Sequence, residues 1–283
     1  MKVALVTDWF HPRVGGIEVH LLGLARALRA REVEVTVITP WPGPDQVSGV
    51  PVHRLDLPLV PGLGVSLAPF RLARAVEDSL RAGSYDLAHT HVSFGSTTAI
   101  AAGFAGPRAG MPVLATFHST FQRLGWVYVL AQPVLRWRSW PFRATAVSEA
   151  VAEDLAWIMP ERDVTLLPNA IDREEWRLPA GQPERDGGRL RLVTTSRLQR
   201  RKRVGALLRI LSRVRAAVAG RVEVTLEILG DGPSRTRLQR LTGRLDLQGA
   251  VRFLGEGGPE EVRSMLARGD VFVNACDRES FGI

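Results

Sequence analysis

One pattern recurs along the chain and restricts its fold more than any other feature: an apolar run, a loop, a helix-spaced segment, then another apolar run. From Lys2 to Thr7 the sequence is almost wholly apolar, as a strand buried on both faces requires. The loop His11-Pro12-Arg13-Val14-Gly15-Gly16 follows, and Ile17, Leu21, Leu24, Ala25 and Leu28 then recur at helical spacing. Val33 to Thr39 reads as the next strand, ended by Pro40. Further strands are expected at Val52–Leu55, Leu87–His91, Val113–Phe117 and Ala144–Val147. Alternation of this kind predicts a parallel, doubly wound α/β sheet.

Around Ala180–Gly188 the chain turns polar and rich in Gly, Pro and charge, the composition of a linker or surface loop. The alternation then restarts. Strands are expected at Leu190–Thr195, Val222–Leu229, Val251–Leu254 and Val271–Ala275, and helices at Val204–Val218, Ser234–Leu245 and Pro259–Ala267. Two successive α/β units predict two Rossmann-like domains facing across a cleft. The second ends on a strand with no covering helix, so the full protein is expected to continue for on the order of a hundred residues.

Composition narrows the class. Hydrophobic content of 45% and charged content of 23% over 283 residues are those of an ordinary globular protein. The single Cys276 excludes a disulfide framework and fits a reducing cytosol. Asp8 cuts short the first apolar run, so no signal peptide is expected. The apolar stretch Leu124 to Leu135 is too short to span a bilayer. The formal net charge of +8 suggests an anionic partner, or else a composition biased toward arginine. Zinc-ligand spacings and RNA-binding aromatic motifs are lacking, so no nucleic-acid partner is expected.

The residues with chemistry to offer all fall where a strand gives way to a loop, the edge at which open α/β folds bind ligands. Gly15 and Gly16 open the first helix, where backbone amides can receive a phosphate; the alternative is a structural turn. They do not form G-x-G-x-x-G, and no acidic residue ends the second strand, so a nicotinamide dinucleotide is disfavoured. His118, in A-T-F-H-S-T, emerges just past a buried strand. His89 and His91 alternate on one strand and face one side. With no third ligand in view, they read as packing or hydrogen-bonding residues rather than a metal pair. Arg197 and Lys202 suit a diphosphate, Arg by forked hydrogen bonds and Lys as a point charge; a solvated basic loop would look the same. Gly230 and Gly232 either admit backbone close to a ligand or simply turn the chain. Glu279 is an acceptor-only carboxylate, suited to sugar hydroxyls or to exposure on a loop.

Taken in order, V-T-D-W-F-H-P-R-V-G-G-I-E-V-H, H-T-H-V-S-F, A-T-F-H-S-T, L-P-N-A-I-D, S-R-L-Q-R-R-K, L-G-D-G-P and E-S-F-G-I resemble the retaining glycosyltransferase family 4 of the two-domain GT-B fold. Within it the nearest likeness is to the phosphatidylinositol mannosyl- and N-acetylglucosaminyltransferases. The resemblance spans essentially the whole chain. It implies an acceptor-side domain over residues 1–167 and an incomplete nucleotide-sugar domain over 168–283.

By that likeness Gly16 approaches the donor diphosphate, His118 lies beside the transferred sugar, and Arg197 and Lys202 neutralise the departing diphosphate. Glu279 matches the first glutamate of the family's E-x-x-x-x-x-x-x-E motif, and the second, expected on the ribose, falls beyond Ile283. Arg203 stands where relatives commonly have glycine. The resemblance implies a UDP- or GDP-sugar donor, a hexose transferred with retention, no metal or cofactor, and a lipid acceptor such as phosphatidylinositol. A UDP-sugar 2-epimerase shares this fold, and an inactive basic surface-binding protein is the non-enzymatic alternative. Trp126, Tyr128, Trp137 and Trp140, interleaved with Arg123, Arg136 and Arg138, and a basic stretch around Phe70, Arg71 and Arg74, would either rest on the cytoplasmic face of an anionic membrane or pack and solvate the first domain.

Overall fold

The computed structural model describes residues 1–13, 15–60, 64–66, 68–121, 125–177, 187–277 and 279–281, with the side chains of 134 and 135 excepted. Val14, Arg123, Arg278, the Gly-Ile end of E-S-F-G-I and most of the Ala180–Gly188 stretch lie outside these residues. The chain divides into two compact units, Met1–Asp172 with the stretch from Ser280 onward, and Arg173–Glu279.

The first unit runs β1 (Lys2–Val6), α1 (Gly16–Arg29), β2 (Glu34–Thr39), β3 (Gln46–Val47), β4 (Val50–Arg54), α2 (Pro69–Gly83), β5 (Leu87–Val92), α3 (Thr98–Arg108), β6 (Val113–Phe117), α4 (Gly125–Leu135), β7 (Phe142–Ala146), α5 (Glu149–Ile158) and β8 (Val164–Leu166). Its sheet has the order β3-β4-β2-β1-β5-β6-β7-β8, parallel throughout except for the β3–β4 hairpin. The two-residue period of a strand distributes β1 between two cores. Val3 and Leu5 pack with Leu21 and Ala25 of α1, while Ala4 and Val6 join the cluster holding Leu72, Val76 and Leu80 of α2. Apolar residues must therefore occupy both parities, which is why β1 reads as a continuous run.

Asp8, just past β1, does more than end that run. Its buried carboxylate accepts from the amides of Thr97, Thr98 and Ala99 at 2.7, 2.7 and 3.1 Å. It thus caps α3 from a distance, where the local Thr97 side chain makes no cap bond.

The second unit contains β9 (Arg189–Thr195), α6 (Val204–Ala217), β10 (Glu223–Leu229), α7 (Arg235–Arg244), β11 (Val251–Gly255), α8 (Pro259–Arg268) and β12 (Val271–Phe272), in the parallel sheet order β11-β10-β9-β12. Val224, Leu226 and Ile228 pack with Leu207, Leu208 and Leu211 of α6, and Met265 of α8 covers Val193 and Leu229. Both units have the α/β, Rossmann-like architecture that the alternation predicts.

Two local differences have physical reasons. The strand expected over Val271–Ala275 pairs with β9 only at Val271 and Phe272. Beyond it the Asn274 side chain accepts the Cys276 amide at 2.9 Å, a local bond that competes with extension. The short strands β3 and β8 carry too few residues to show a periodicity.

Candidate functional site

In the first unit, β5 and β6 are parallel neighbours with His91 in register with Thr116. The next residue of that face, two positions on, is His118, whose amide bonds the Val92 carbonyl at 2.8 Å just past the end of β6. The pairing brings the rings together, with His91 Nδ1 and His118 Nε2 2.9 Å apart and one donating to the other. His20, one turn into α1 from Gly16, places its ring centroid 6.0 Å from His91 and 5.5 Å from His118. His91 hydrogen-bonds as expected, and the α1 crossover adds His20, and sheet order His118, as neighbours that the sequence did not bring into view.

His89 does face the same side as His91, with centroids 4.1 Å apart. It is committed to hydrogen bonding, however, with Nε2 2.7 Å from Thr116 Oγ1, which in turn meets Thr145 Oγ1.

These imidazoles are neutral. Desolvation, then the neighbouring rings of His20 and His89, pushes His118 down to about 3. Desolvation with His20 lowers His89 to about 4, and burial holds His91 well below its ordinary value. His20 is lowered by burial too, partly offset by a hydrogen bond to the Ala170 backbone. A neutral, buried His118 offers a hydrogen bond, not a cation, to whatever lies against it.

Gly15, in extended conformation, precedes α1, and Gly16 is its first residue, so the helix N-terminus stands at the carboxyl edge of β1 as expected. In the first turn the buried Glu18 pairs with Arg13 at 3.1 Å. Arg13 also lies 4.9 Å from the centroid of Trp9. The positive charge of Arg13 offsets the acid that would otherwise oppose an anion there.

In the second unit, Arg197 and Lys202 follow β9, Arg197 exposed and Lys202 on a 3-10 turn, Arg200–Lys202. Lys202 Nζ sits 2.7 and 2.6 Å from the two carboxylate oxygens of Glu279. Burial opposes the charged form of Glu279, but hydrogen bonds from Lys202 and Cys276 and the charges of Lys202 and Arg201 prevail and hold it below its usual range. Arg203, which departs from the family's glycine, has φ 54° and ψ 23° at the start of α6 and pairs with Asp277. That left-handed geometry is what glycine adopts without strain.

Gly230 and Gly232 have φ of 135° and 153°. A Cβ on Gly230 would fall 2.1 Å from the Ser196 carbonyl oxygen, and one on Gly232 2.7 Å from that of Leu198. The close approach they permit is to the protein's own backbone. Ser196 N bonds Leu229 O, Leu198 N bonds Asp231 O at 2.8 Å, and Ser234 N bonds Leu198 O at 2.9 Å. The loop bearing Arg197 is thereby fastened to the β10–α7 turn.

The aromatic residues open to two readings divide. Trp137 is buried, its indole donating to the Tyr128 carbonyl at 3.2 Å, and Trp140 packs on the core. Trp126, Leu130 and, on α2, Phe70 are exposed, Phe70 to 90%. Arg71 and Arg74 flank Phe70 on the exposed side of α2, opposite buried Leu72 and Val76. Among the described residues no helix is long and apolar enough to cross a membrane.

Comparison with known proteins gives these features a context. Residues 14–175 match the family described as Glycosyltransferase Family 4, and residues 178–283 match Glycosyl transferases group 1. One relative is the human phosphatidylinositol N-acetylglucosaminyltransferase, whose matching polypeptide is 27% identical over 289 residues, covering 99% of this chain and 58% of that protein. The chain is 28% identical over 296 residues to the phosphatidyl-myo-inositol mannosyltransferase of Mycolicibacterium smegmatis, covering 100% of this chain and 72% of that one. Anabaena HepE, solved with UDP and glucose, superposes with a TM-score of 0.69 at 18% identity, over 98% of this chain and 74% of that chain. Sucrose-phosphate synthase from Thermosynechococcus elongatus gives 0.73 at 18% identity, over 100% and 77%. These neighbours have the GT-B fold, and the chain spans about three fifths of the human relative it matches. Two Rossmann-like units, each with candidate residues at its strand-to-helix edges, and family matches that together run from residue 14 to 283 lead to one statement: the chain belongs to glycosyltransferase family 4.

Proposed function

We propose that this chain transfers a hexose from a UDP- or GDP-sugar to a lipid acceptor such as phosphatidylinositol, with retention and without a catalytic metal. The observation that carries the reading is the loop after β9, which bears Arg197 and presents Lys202 to Glu279 at the start of α6. Cleavage of a glycosyl–phosphate bond sends its electron pair to the diphosphate and leaves an oxocarbenium-like sugar. Fixed cations near the leaving group stabilise that charge as it forms. Arg197 and Lys202 supply them, and the N-terminus of α1 at Gly15 and Gly16 adds backbone amides. Glu279 accepts hydrogen bonds from sugar hydroxyls. The neutral His118 holds the transferred sugar by a hydrogen bond, since an imidazole with pKa about 3 carries no proton to donate as an acid at neutral pH. The acceptor oxygen bonds to the anomeric carbon on the face the diphosphate vacates, and its proton passes to the departing diphosphate.

The acceptor class rests on the names of the relatives, which are phosphatidylinositol glycosyltransferases. The exposed Phe70 with Arg71 and Arg74 on α2 supports an anionic lipid surface as partner. Titration of UDP, GDP, UDP-GlcNAc and GDP-mannose against the full-length protein, followed by transfer to phosphatidylinositol vesicles, tests the proposal. Saturable binding of one nucleotide series and glycosylated lipid are expected, and failure to bind any of the four overturns it.

A further inference from the structure

We infer that His20, His91 and His118 form a binding site for a borderline divalent ion, Zn²⁺ or a d-block ion of similar ligand preference. One ring nitrogen of each lies within 4.8 Å of one nitrogen of both others, the group of three or more potential ligands that stands out among the described residues. Three imidazoles around Zn²⁺ at about 2.0–2.1 Å stand about 3.3 Å apart, so side-chain rotations of roughly 1 Å close the site.

His20 Nδ1 is buried with no hydrogen-bond partner, beside the buried pair His91 and His118, 1% and 6% exposed. His20 uses its other nitrogen on the Ala170 backbone, which leaves Nδ1 a bare lone pair. Of the His91–His118 pair, only one ring can donate in the shared bond. The facing nitrogens, His91 Nδ1 and His118 Nε2, are the two that one ion reaches together, so its binding replaces their shared hydrogen bond. A buried lone pair with no donor facing it, as at His20 Nδ1, is costly, and a cation satisfies it. His89 is excluded, because Thr116 already occupies its Nε2. Nitrogen donors alone select Zn²⁺, Co²⁺, Ni²⁺ or Cu²⁺ over Mg²⁺ and Ca²⁺, which prefer oxygen. The partly exposed His20 is the side from which an ion enters.

A bound ion takes His118 away from any substrate, so Zn²⁺ inhibits transfer. That consequence rests on the function proposed above; the binding does not.

The test is a titration of the metal-free full-length protein with Co²⁺, then displacement by Zn²⁺, read by visible absorption and calorimetry. Expected are one Co²⁺ per chain with the intense d–d bands of a four-coordinate site, displacement by one Zn²⁺, and no displacement by Mg²⁺. His20→Ala and His118→Gln, each checked for native circular dichroism, should weaken Zn²⁺ binding roughly tenfold or more, in line with loss of one of three ligands. His53→Ala, on the exposed side of β4, and Cys276→Ser should bind as the unmodified protein does. No saturable binding by the unmodified protein, or equal binding by both His20→Ala and His118→Gln, overturns the inference.

Discussion

Lys202 and Glu279 hold each other through two contacts of 2.7 and 2.6 Å, so the cation proposed for the diphosphate is fixed by the carboxylate proposed for the sugar. The side chains are 18% and 28% exposed, and removing either partner leaves the other half-buried and uncompensated. Lys202→Ala therefore leaves a carboxylate facing the diphosphate, and UDP or GDP binding should fall roughly tenfold or more. Glu279→Gln keeps the shape and releases the Lys202 charge. Nucleoside diphosphate should bind it at least as well as before, while transfer slows. Calorimetry beside a transfer assay separates the two, and equal losses of nucleotide affinity in both variants would contradict the proposed division of roles.

Acid should destabilise the first unit well above the carboxylate range. The sign follows from the depressed imidazoles. The unfolded chain takes up protons as pH falls through about 6.5, whereas folded His118 and His89 do not until about 3 and about 4. Stability is complete above the unfolded value and is lost progressively between it and the folded ones. At about pH 5 each buried ring costs ~2 kcal/mol. Urea midpoints in chelator at about pH 7.5 and 5 measure it. His89→Asn, which does not titrate, should flatten the decline, and an unchanged slope would count against the neutral assignment.

Gly230→Ala should cost ~2 kcal/mol or more, because its Cβ would meet the Ser196 carbonyl oxygen at 2.1 Å in a left-handed conformation. The displaced strand-to-helix loop carries Arg197, so nucleotide affinity falls together with thermal stability. A stable variant that has lost only nucleotide affinity would instead assign the glycine to direct ligand contact.

At Arg203 the direction reverses. Glycine relieves the strain of φ 54°, while the exposed pair with Asp277 contributes little. Arg203→Gly should raise stability by roughly 1 kcal/mol in urea melts. A loss would mean that the ion pair outweighs the backbone strain.

Much of the architecture was legible because its signals are local. Buried parallel strands announce themselves as apolar runs, and helices by their spacing, so β1, α1, β2, β5, β6, β9, β10 and α6 fall within a residue or two of expectation. The roles of Asp8 and His20 were not legible because their partners are remote. Asp8 caps α3 across 89 to 91 positions of sequence. His20 resembles any polar residue bordering a helix's apolar stripe, and only its place one turn after Gly16 at a strand's carboxyl edge could have marked it.

Order along the chain therefore determined two α/β units, strand-to-helix edges bearing Gly15, Gly16, His118, Arg197, Lys202, Gly230, Gly232 and Glu279, and the family likeness. The tertiary structure alone decided who touches whom. Sheet register sets His91 against His118, the α1 crossover adds His20, and the turn after β9 delivers Lys202 to Glu279. Periodicity records whether a residue is buried, because water acts on each residue singly. Pairing depends on strand order and crossover geometry, which no local stretch of sequence encodes.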